Sequence, residues 1–390
     1  MKKRFITVFL IGAFALGTLS ACGNSSQDSA ETMTPSAEIA EETDNQEETD
    51  ELVEEEEAEV ESDGQEEADA ACDAGYNCLY GEDGKEINLE EAYTNFNHAL
   101  ELGNTEANFY LGLLCDWYSI PEKDYEKAKA YYEAAGEDNS GAQLALGFLY
   151  YNGQGVEQDV EKAQELFDAV IEQGDMGGYL GNAFIAYDKG DYTVALENCN
   201  KVLEGTEQVF LAEAMGSIGA LYFHGQGIEQ DYAQALEWYR KAADLGETDS
   251  MINIGSMYLY GQGVEQDYTQ ALEWYEKAAD LGKENAMGWL GYLYYNGLGV
   301  EQDYTQALEW FKKGADLGEP SAMNNLAGMY YYGQGVEQDY TQALEWYEKA
   351  ADLGNTDAMK SLAGMYTDGR GVEVDIDIAQ EWYNKAEGVK

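Results

Sequence analysis

The sequence predicts an all-α chain, an α-solenoid of about eight helix–turn–helix repeats with a 36-residue period behind a disordered acidic N-terminal segment. Three observations carry this. Trp238, Trp274, Trp310, Trp346 and Trp382 stand 36 residues apart. A Gly-x-Gly pair keeps the same step at Gly225, Gly261, Gly297, Gly333 and Gly369, and recurs two periods earlier at Gly153. The stretch GQGVEQDYTQALEWYEKAADLG occurs unchanged at 261–282 and 333–354. Residues 85–390 hold about eight and a half such periods.

The first element is an export signal. Lys2, Lys3 and Arg4 precede an uncharged apolar run from Phe5 to Leu19, too short to span a bilayer and of the length of a signal-peptide core. The run ends Leu19-Ser20-Ala21-Cys22, with Gly23 next, and resembles the bacterial lipobox. The resemblance implies that residues 1–21 are removed and that Cys22 is diacylated as the mature N-terminus. The product would be lipid-anchored at the extracytoplasmic face of a bacterial membrane, in the cell envelope, with no other membrane contact. An ordinary secretory signal or a simple membrane anchor is the alternative.

Residues 22–84 contain no Lys or Arg and 23 Asp or Glu, with Glu54 to Glu57 unbroken. Such a composition buries too little apolar surface to offset chain entropy, so a disordered linker is expected. It reads either as a spacer or as a solubilising tail. Cys72 and Cys78, with five residues between them, could bridge in an oxidising compartment. Cys115 and Cys199 fall at aromatic positions of the repeat and read as small buried hydrophobes.

Each repeat of 85–390 reads as two helices. In the second, Tyr268, Ala271, Leu272, Tyr275, Ala278, Ala279 and Leu281 recur at helical spacing. Asp267 is placed to cap it, and Gln270 to reach back as in a capping box, an arrangement repeated at Asp231/Gln234, Asp303/Gln306 and Asp339/Gln342. Glu273 and Lys277 form an i, i+4 pair, repeated at Glu309/Lys313 and Glu345/Lys349. Gly282, Gly318 and Gly354 end these helices. The first helix carries Ile254, Gly255 and Tyr258, matched by Leu290, Gly291, Tyr294 and by Leu326, Ala327, Tyr330; the small residue admits a neighbouring helix. Pro320 falls in a first turn, where its missing N–H costs little.

This pattern, with LG-x2-Y leading into G-x-GV-x2-D and then WY-x-KAA, resembles the Sel-one-like repeat, a relative of the tetratricopeptide repeat. The resemblance implies a right-handed solenoid that acts as an adaptor for other proteins, with first helices lining a concave groove. Two early segments depart from it. Asp188-Lys189-Gly190-Asp191-Tyr192 lacks the Gly-x-Gly insertion, and the first hairpin has Ser119-Ile120-Pro121 in its place.

The net charge of −56 argues against a nucleic-acid partner, whose affinity would come from cations on phosphates, and favours a basic or neutral protein or peptide. Chemistry is sought without result. His98 and His224 lie in different repeats with no repeated carboxylate or thiol beside them. The Gly-x-Gly loops follow helices and lack the strand that a dinucleotide loop needs. The expectation is therefore no enzyme, no cofactor and no metal. Repeats copied this closely differ mainly on their first helices. One offset reads Ala145, Ser217, Asn253, Trp289, Asn325, Ser361; three residues on, Phe148, Ala220, Ser256, Tyr292, Gly328, Gly364; near the helix end, Tyr260, Asn296, Tyr332, Asp368. Asn253, Trp289, Tyr292, Asn325, Tyr260 and Tyr332 are the candidate groove residues, the amides for a peptide backbone and the rings as anchors. The function expected is an envelope-anchored adaptor; a passive surface spacer and a module for wall glycan stay open beside it.

Overall fold

Among the residues that the computed structural model describes (51–81, 86–118, 120–121 and 123–388, with side chains from residue 64 onward), helix is the only regular secondary structure. The expected export signal and the expected lipidation site Cys22 lie outside these residues. The chain forms two units that meet in sequence at Gly190 and Asp191. The first holds Glu51–Tyr80 (α1), Leu89–Glu101 (α2), Ala107–Asp116 (α3), Tyr125–Ala135 (α4), Ser140–Asn152 (α5), Val160–Glu172 (α6) and Gly177–Asp188 (α7). The second holds Tyr192–Val202 (α8), Gln208–His224 (α9), Tyr232–Asp244 (α10), Thr248–Tyr260 (α11), Tyr268–Asp280 (α12) and Glu284–Asn296 (α13). It continues with Tyr304–Asp316 (α14), Pro320–Tyr332 (α15), Tyr340–Asp352 (α16), Thr356–Asp368 (α17) and Ile376–Ala386 (α18). Within each unit helices pack in chain order, against the next helix and in part against the second next, as in an α-solenoid.

The acidic segment expected to be a disordered linker as far as residue 84 ends in a packed helix. Ala68, Cys72, Cys78 and Leu79 are buried, and a Cβ on Gly75 would meet the Phe96 ring at 2.7 Å. Positions 68, 72, 75 and 79 follow the i, i+4, i+7, i+11 spacing of one helix face, so α1 lays an apolar stripe on α2 despite its surface charge. Asn104 Nδ2 donates to Asp69 Oδ1 at 2.8 Å, and Asn88 N to the Cys78 carbonyl at 2.9 Å. The repeat body thus starts earlier than residue 85. Cys72 and Cys78 form no disulfide. Six steps along one helix separate them by about 9 Å of axial rise on different faces, beyond the reach of a bridge.

Each hairpin is fixed by the same few contacts. The Asp267 carboxylate accepts from Thr269 N and Gln270 N at 3.0 Å each and caps α12; Asp231, Asp303 and Asp339 do the same for α10, α14 and α16. The reciprocal half of the expected capping box is not made. Asp267 N already donates to the Tyr258 carbonyl at 2.9 Å, so the Gln270 amide turns forward to Glu273. Both glycines of each loop sit at positive φ, 67° at Gly297 and 73° at Gly299. The second is obligatory for a further reason: a Cβ on Gly299 would meet the Tyr268 carbonyl carbon of the preceding repeat at 2.6 Å.

Between the two helices of a repeat, one ring enters a gap left by a small residue. A Cβ on Gly255 would meet the Tyr275 ring at 2.7 Å, and one on Gly219 the Tyr239 ring at the same distance. Tyr275 is fully buried, as are Ala271, Ala278 and Ile254 beside it. On the outer face of the second helices the expected Glu–Lys pairs largely give way to another contact. Lys241, Lys277, Lys313, Lys349 and Lys385 lie over the rings of Trp238, Trp274, Trp310, Trp346 and Trp382 at 3.8–4.1 Å from the centroids. In this series only Lys241 also reaches its glutamate, Glu237, at 2.8 Å among the described residues.

Candidate functional site

The candidate site lies in the second unit, on consecutive first helices α11, α13 and α15. Their buried faces hold Ile254, Leu290 and Leu326, which aims the rows 253/289/325 and 256/292/328 away from the core. Three of the predicted residues come together. Trp289 is half-buried and stacks on Tyr275, with centroids 5.6 Å apart and planes 7° from parallel. Tyr260 stands at 83° to the indole with centroids 6.5 Å apart, and Tyr292 at 86° and 5.9 Å. Tyr260 is 58% exposed and Tyr292 40%. Tyr275 is the member that sequence reasoning missed: its ring recurs in other repeats as core, and only the stacking shows it as the backing of Trp289. Its hydroxyl is held by Ser256 Oγ at 3.0 Å. Burial raises the Tyr275 phenol above its ordinary range, and the Ser256 bond opposes the rise. Burial also raises Tyr260, and Tyr292 adds to it.

The remaining candidates are placed less closely. Asn253 and Asn325 are half-buried, and among the described residues neither side-chain amide has a hydrogen-bond partner. Tyr332 is 67% exposed and pairs with its neighbour Tyr331 at 4.8 Å, its only ring contact among the described residues. Where Tyr292 stands in α13, α15 and α17 carry Gly328 and Gly364. A Cβ on Gly328 would come no nearer than 3.6 Å to another group, the Tyr347 hydroxyl, and one on Gly364 would meet nothing within 4 Å. The row is therefore open floor beyond the aromatic cluster. In the first unit the same row is closed: Ala145 and Phe148 are buried, and Phe148 packs on Phe167 at 4.9 Å and Phe184 at 6.2 Å.

A second polar feature runs along the starts of the first helices. Lys283 is buried and holds Asp249 through both carboxylate oxygens at 3.0 and 3.1 Å. Glu247 accepts from Asp249 N at 2.8 Å and also from Ser250 N. Burial pushes the Glu213 carboxyl well above the ordinary carboxylate range, with Glu247 and Asp249 adding and Lys283 opposing. His98 sits in α2 at 4.0 Å from Glu101, and His224 at the end of α9 against Phe223. Cys115 and Cys199 are buried as expected, and burial pushes the Cys199 thiol up to about 12. No group of three or more His, Cys, Asp or Glu is placed to hold a metal ion among the described residues. None of the described helices is long and apolar enough to cross a membrane.

Comparison with known proteins bears on the repeat itself. The Sel1 repeat matches in eight segments: 68–104, 105–140, 140–175, 212–247, 248–283, 285–319, 320–355 and 356–387. This chain belongs to the Sel1 repeat family. Its first Sel1 segment starts at residue 68, where α1 begins to pack, and the unmatched stretch 176–211 contains the turn that lacks the Gly-x-Gly pair. A curated relative is the ERAD-associated E3 ubiquitin-protein ligase component HRD3A of Arabidopsis thaliana, 31% identical over 179 residues. That alignment takes in 42% of this chain and 26% of the relative, so the chain spans about a quarter of that protein. Among solved structures, a Sel1 repeat protein from Oxalobacter formigenes is 29% identical, covering 72% of this chain and 96% of the other, with a TM-score of 0.44. A protective antigen of uropathogenic Escherichia coli with an SLR fold is also 29% identical, covering 86% of this chain and 78% of the other, with a TM-score of 0.44.

Proposed function

We propose that the protein is an envelope-anchored adaptor whose Sel1 repeats hold another protein through the first-helix face of the second unit. The observation that carries this is the half-buried Trp289, fixed from behind by Tyr275, between the exposed rings of Tyr260 and Tyr292, with unengaged asparagine amides in the same row. Rigid aromatic anchors beside polar groups are the composition of interface hot spots. Leaving two tyrosine rings in water serves no packing purpose here, since the core below them is already closed by Ile254 and Leu290. The Arabidopsis relative is by name a component of a ligase, which agrees with a role inside an assembly. The negative field of the chain selects a basic or neutral partner. Anchoring through Cys22 at the extracytoplasmic face of a bacterial membrane is carried by the lipobox resemblance.

One experiment addresses both halves. The full chain is expressed in a bacterium with a metabolically incorporated fatty-acid label, beside Cys22→Ala, and used to capture proteins from that organism's envelope beside Trp289→Ala and Tyr292→Ala. The expected result is label and membrane retention lost in Cys22→Ala, and a protein enriched on wild type and lost on both ring variants. Label without any ring-dependent protein would leave an anchored spacer. A ring-dependent ligand that survives protease treatment would mean glycan.

A further inference from the structure

We propose that Tyr260, Trp289 and Tyr292 form a cage for a single cationic side chain, and that the partner held on this face is an extended peptide presenting a lysine or arginine there. The proposal rests on the adaptor reading and specifies the chemistry of its anchor point.

Geometry comes first. One face of the Trp289 indole is covered by Tyr275, whose plane lies 7° from its own, so the indole is a fixed floor. Tyr260 from α11 and Tyr292 from α13 stand almost perpendicular to that floor, at 83° and 86°, and both remain exposed. The phenols are near enough for Tyr292 to raise Tyr260 electrostatically, so the two walls belong to one site. Aromatic faces carry negative quadrupole charge, and a cation within about 6 Å of several such rings is attracted by each.

The chain's own tryptophans supply the second argument. All five on the second helices have a lysine over the ring at 3.8–4.1 Å. Trp289 is on a first helix, and no lysine or arginine lies over it among the described residues. A cation for this ring must come from outside. With 21 basic against 77 acidic residues, the field drawing one there is strong and leaves few internal competitors. Beyond the cage, Gly328 and Gly364 leave the helix surface bare, and Asn325 is free to pair with a passing backbone. An extended chain fits that floor better than a helix does, because its backbone groups still need partners.

The test uses two labelled peptides of glycine and serine, one with a central lysine and one with norleucine, titrated against the full chain by anisotropy. Salt is set at about 0.15 M, so that carboxylates farther than about 8 Å are screened. Lysine is expected to bind about tenfold more tightly than norleucine. Tyr292→Ala and Trp289→Ala should remove that preference, while Tyr292→Phe, which keeps the ring, should retain it. Because Trp289→Ala also uncovers Tyr275, the exposed Tyr292 carries the decision. Norleucine binding as tightly as lysine would overturn the cage and leave an apolar anchor, with the adaptor reading intact. A lysine preference unchanged in both alanine variants would assign it to the general field and overturn the cage. Absence of binding by either peptide would overturn it too, leaving the adaptor reading to the capture experiment.

Discussion

Glu213 in the second turn of α9 and Glu247 at the cap of α11 set two carboxyls against each other, and the nearby cation, Lys283, is committed to Asp249. Burial raises Glu213 well above its ordinary value, and Glu247 is raised chiefly by burial and then by Asp249. The consequence for stability has a definite sign. Between the ordinary glutamate pKa and the raised one, the folded chain holds a proton that the unfolded chain has released. Stability therefore falls as pH rises through that window and is greatest below it. Glu213→Gln removes the proton from the balance. Its melting temperature should exceed that of wild type at pH 8, by about 2–4 °C per kcal/mol for a unit of this size, and match it at pH 4. Equal gaps at both pH values would mean that Glu213 does not titrate in this window. Glycines offer a second test at the same scale. Gly299 and Gly282 both have positive φ, 73° and 87°, so alanine at either costs about 1–2 kcal/mol of left-handed strain. At Gly299 the methyl must also displace the Tyr268 backbone, whereas at Gly282 it meets nothing within 4 Å. Gly299→Ala should therefore destabilise by at least about 1 kcal/mol more than Gly282→Ala in urea melts.

At the scale of the element, the caps are the most legible contacts and also show where local reading stops. Asp267→Ala should cost about 1 kcal/mol through the loss of two N–H acceptors. Gln270→Ala should change stability by only a few tenths, because its amide reaches an exposed glutamate and not the cap. Thermal melts of the two variants separate these outcomes, and equal losses would restore the reciprocal capping box. The box looks sound in the sequence because its spacing is local, yet the N–H it would serve is taken by Tyr258, nine residues earlier. Lys277 departs from its expected pairing for a similar reason. Glu273 and Trp274 are both within its reach, and spacing alone does not rank a solvated carboxylate against a half-buried indole. The hairpins themselves, their glycines and their buried rings follow directly from the period. For the site, contrast between repeats exposes Trp289 and Tyr292, since an indole where others have asparagine or serine stands out. That same contrast cannot find Tyr275, whose place is taken by the similar rings Tyr239, Phe311 and Tyr347 in neighbouring repeats, nor foresee that Phe148 closes the row in the first unit.

For the whole molecule the decisive question is where the body begins. Charge density made residues 22–84 look uniformly unstructured, and the four apolar positions on one face of α1 are too sparse to stand out against it. Structurally they are the first half of the first repeat. A chain starting at residue 64 keeps Ala68, Cys72, Gly75 and Leu79 over Phe96, and keeps Tyr76 at 5.9 Å from Tyr110. A chain starting at residue 85 uncovers Phe96, fully buried and stacked on Tyr110 at 4.7 Å, and strips the Asp69 acceptor from the Asn104 amide. Uncovering that face forfeits on the order of 5 kcal/mol of apolar burial. Because helices in such arrays contact only near neighbours, the loss should stay local and not spread along the chain. Hydrogen exchange reads both parts of the prediction. Amides of α2 and α3 should lose protection in the chain starting at 85 and keep it in the one starting at 64, while those of α12 and α14 stay unchanged in both. If α2 were equally protected in the two, α1 would be an acidic tail resting on a body complete without it. If α12 lost protection as well, the two units would fold as one cooperative block.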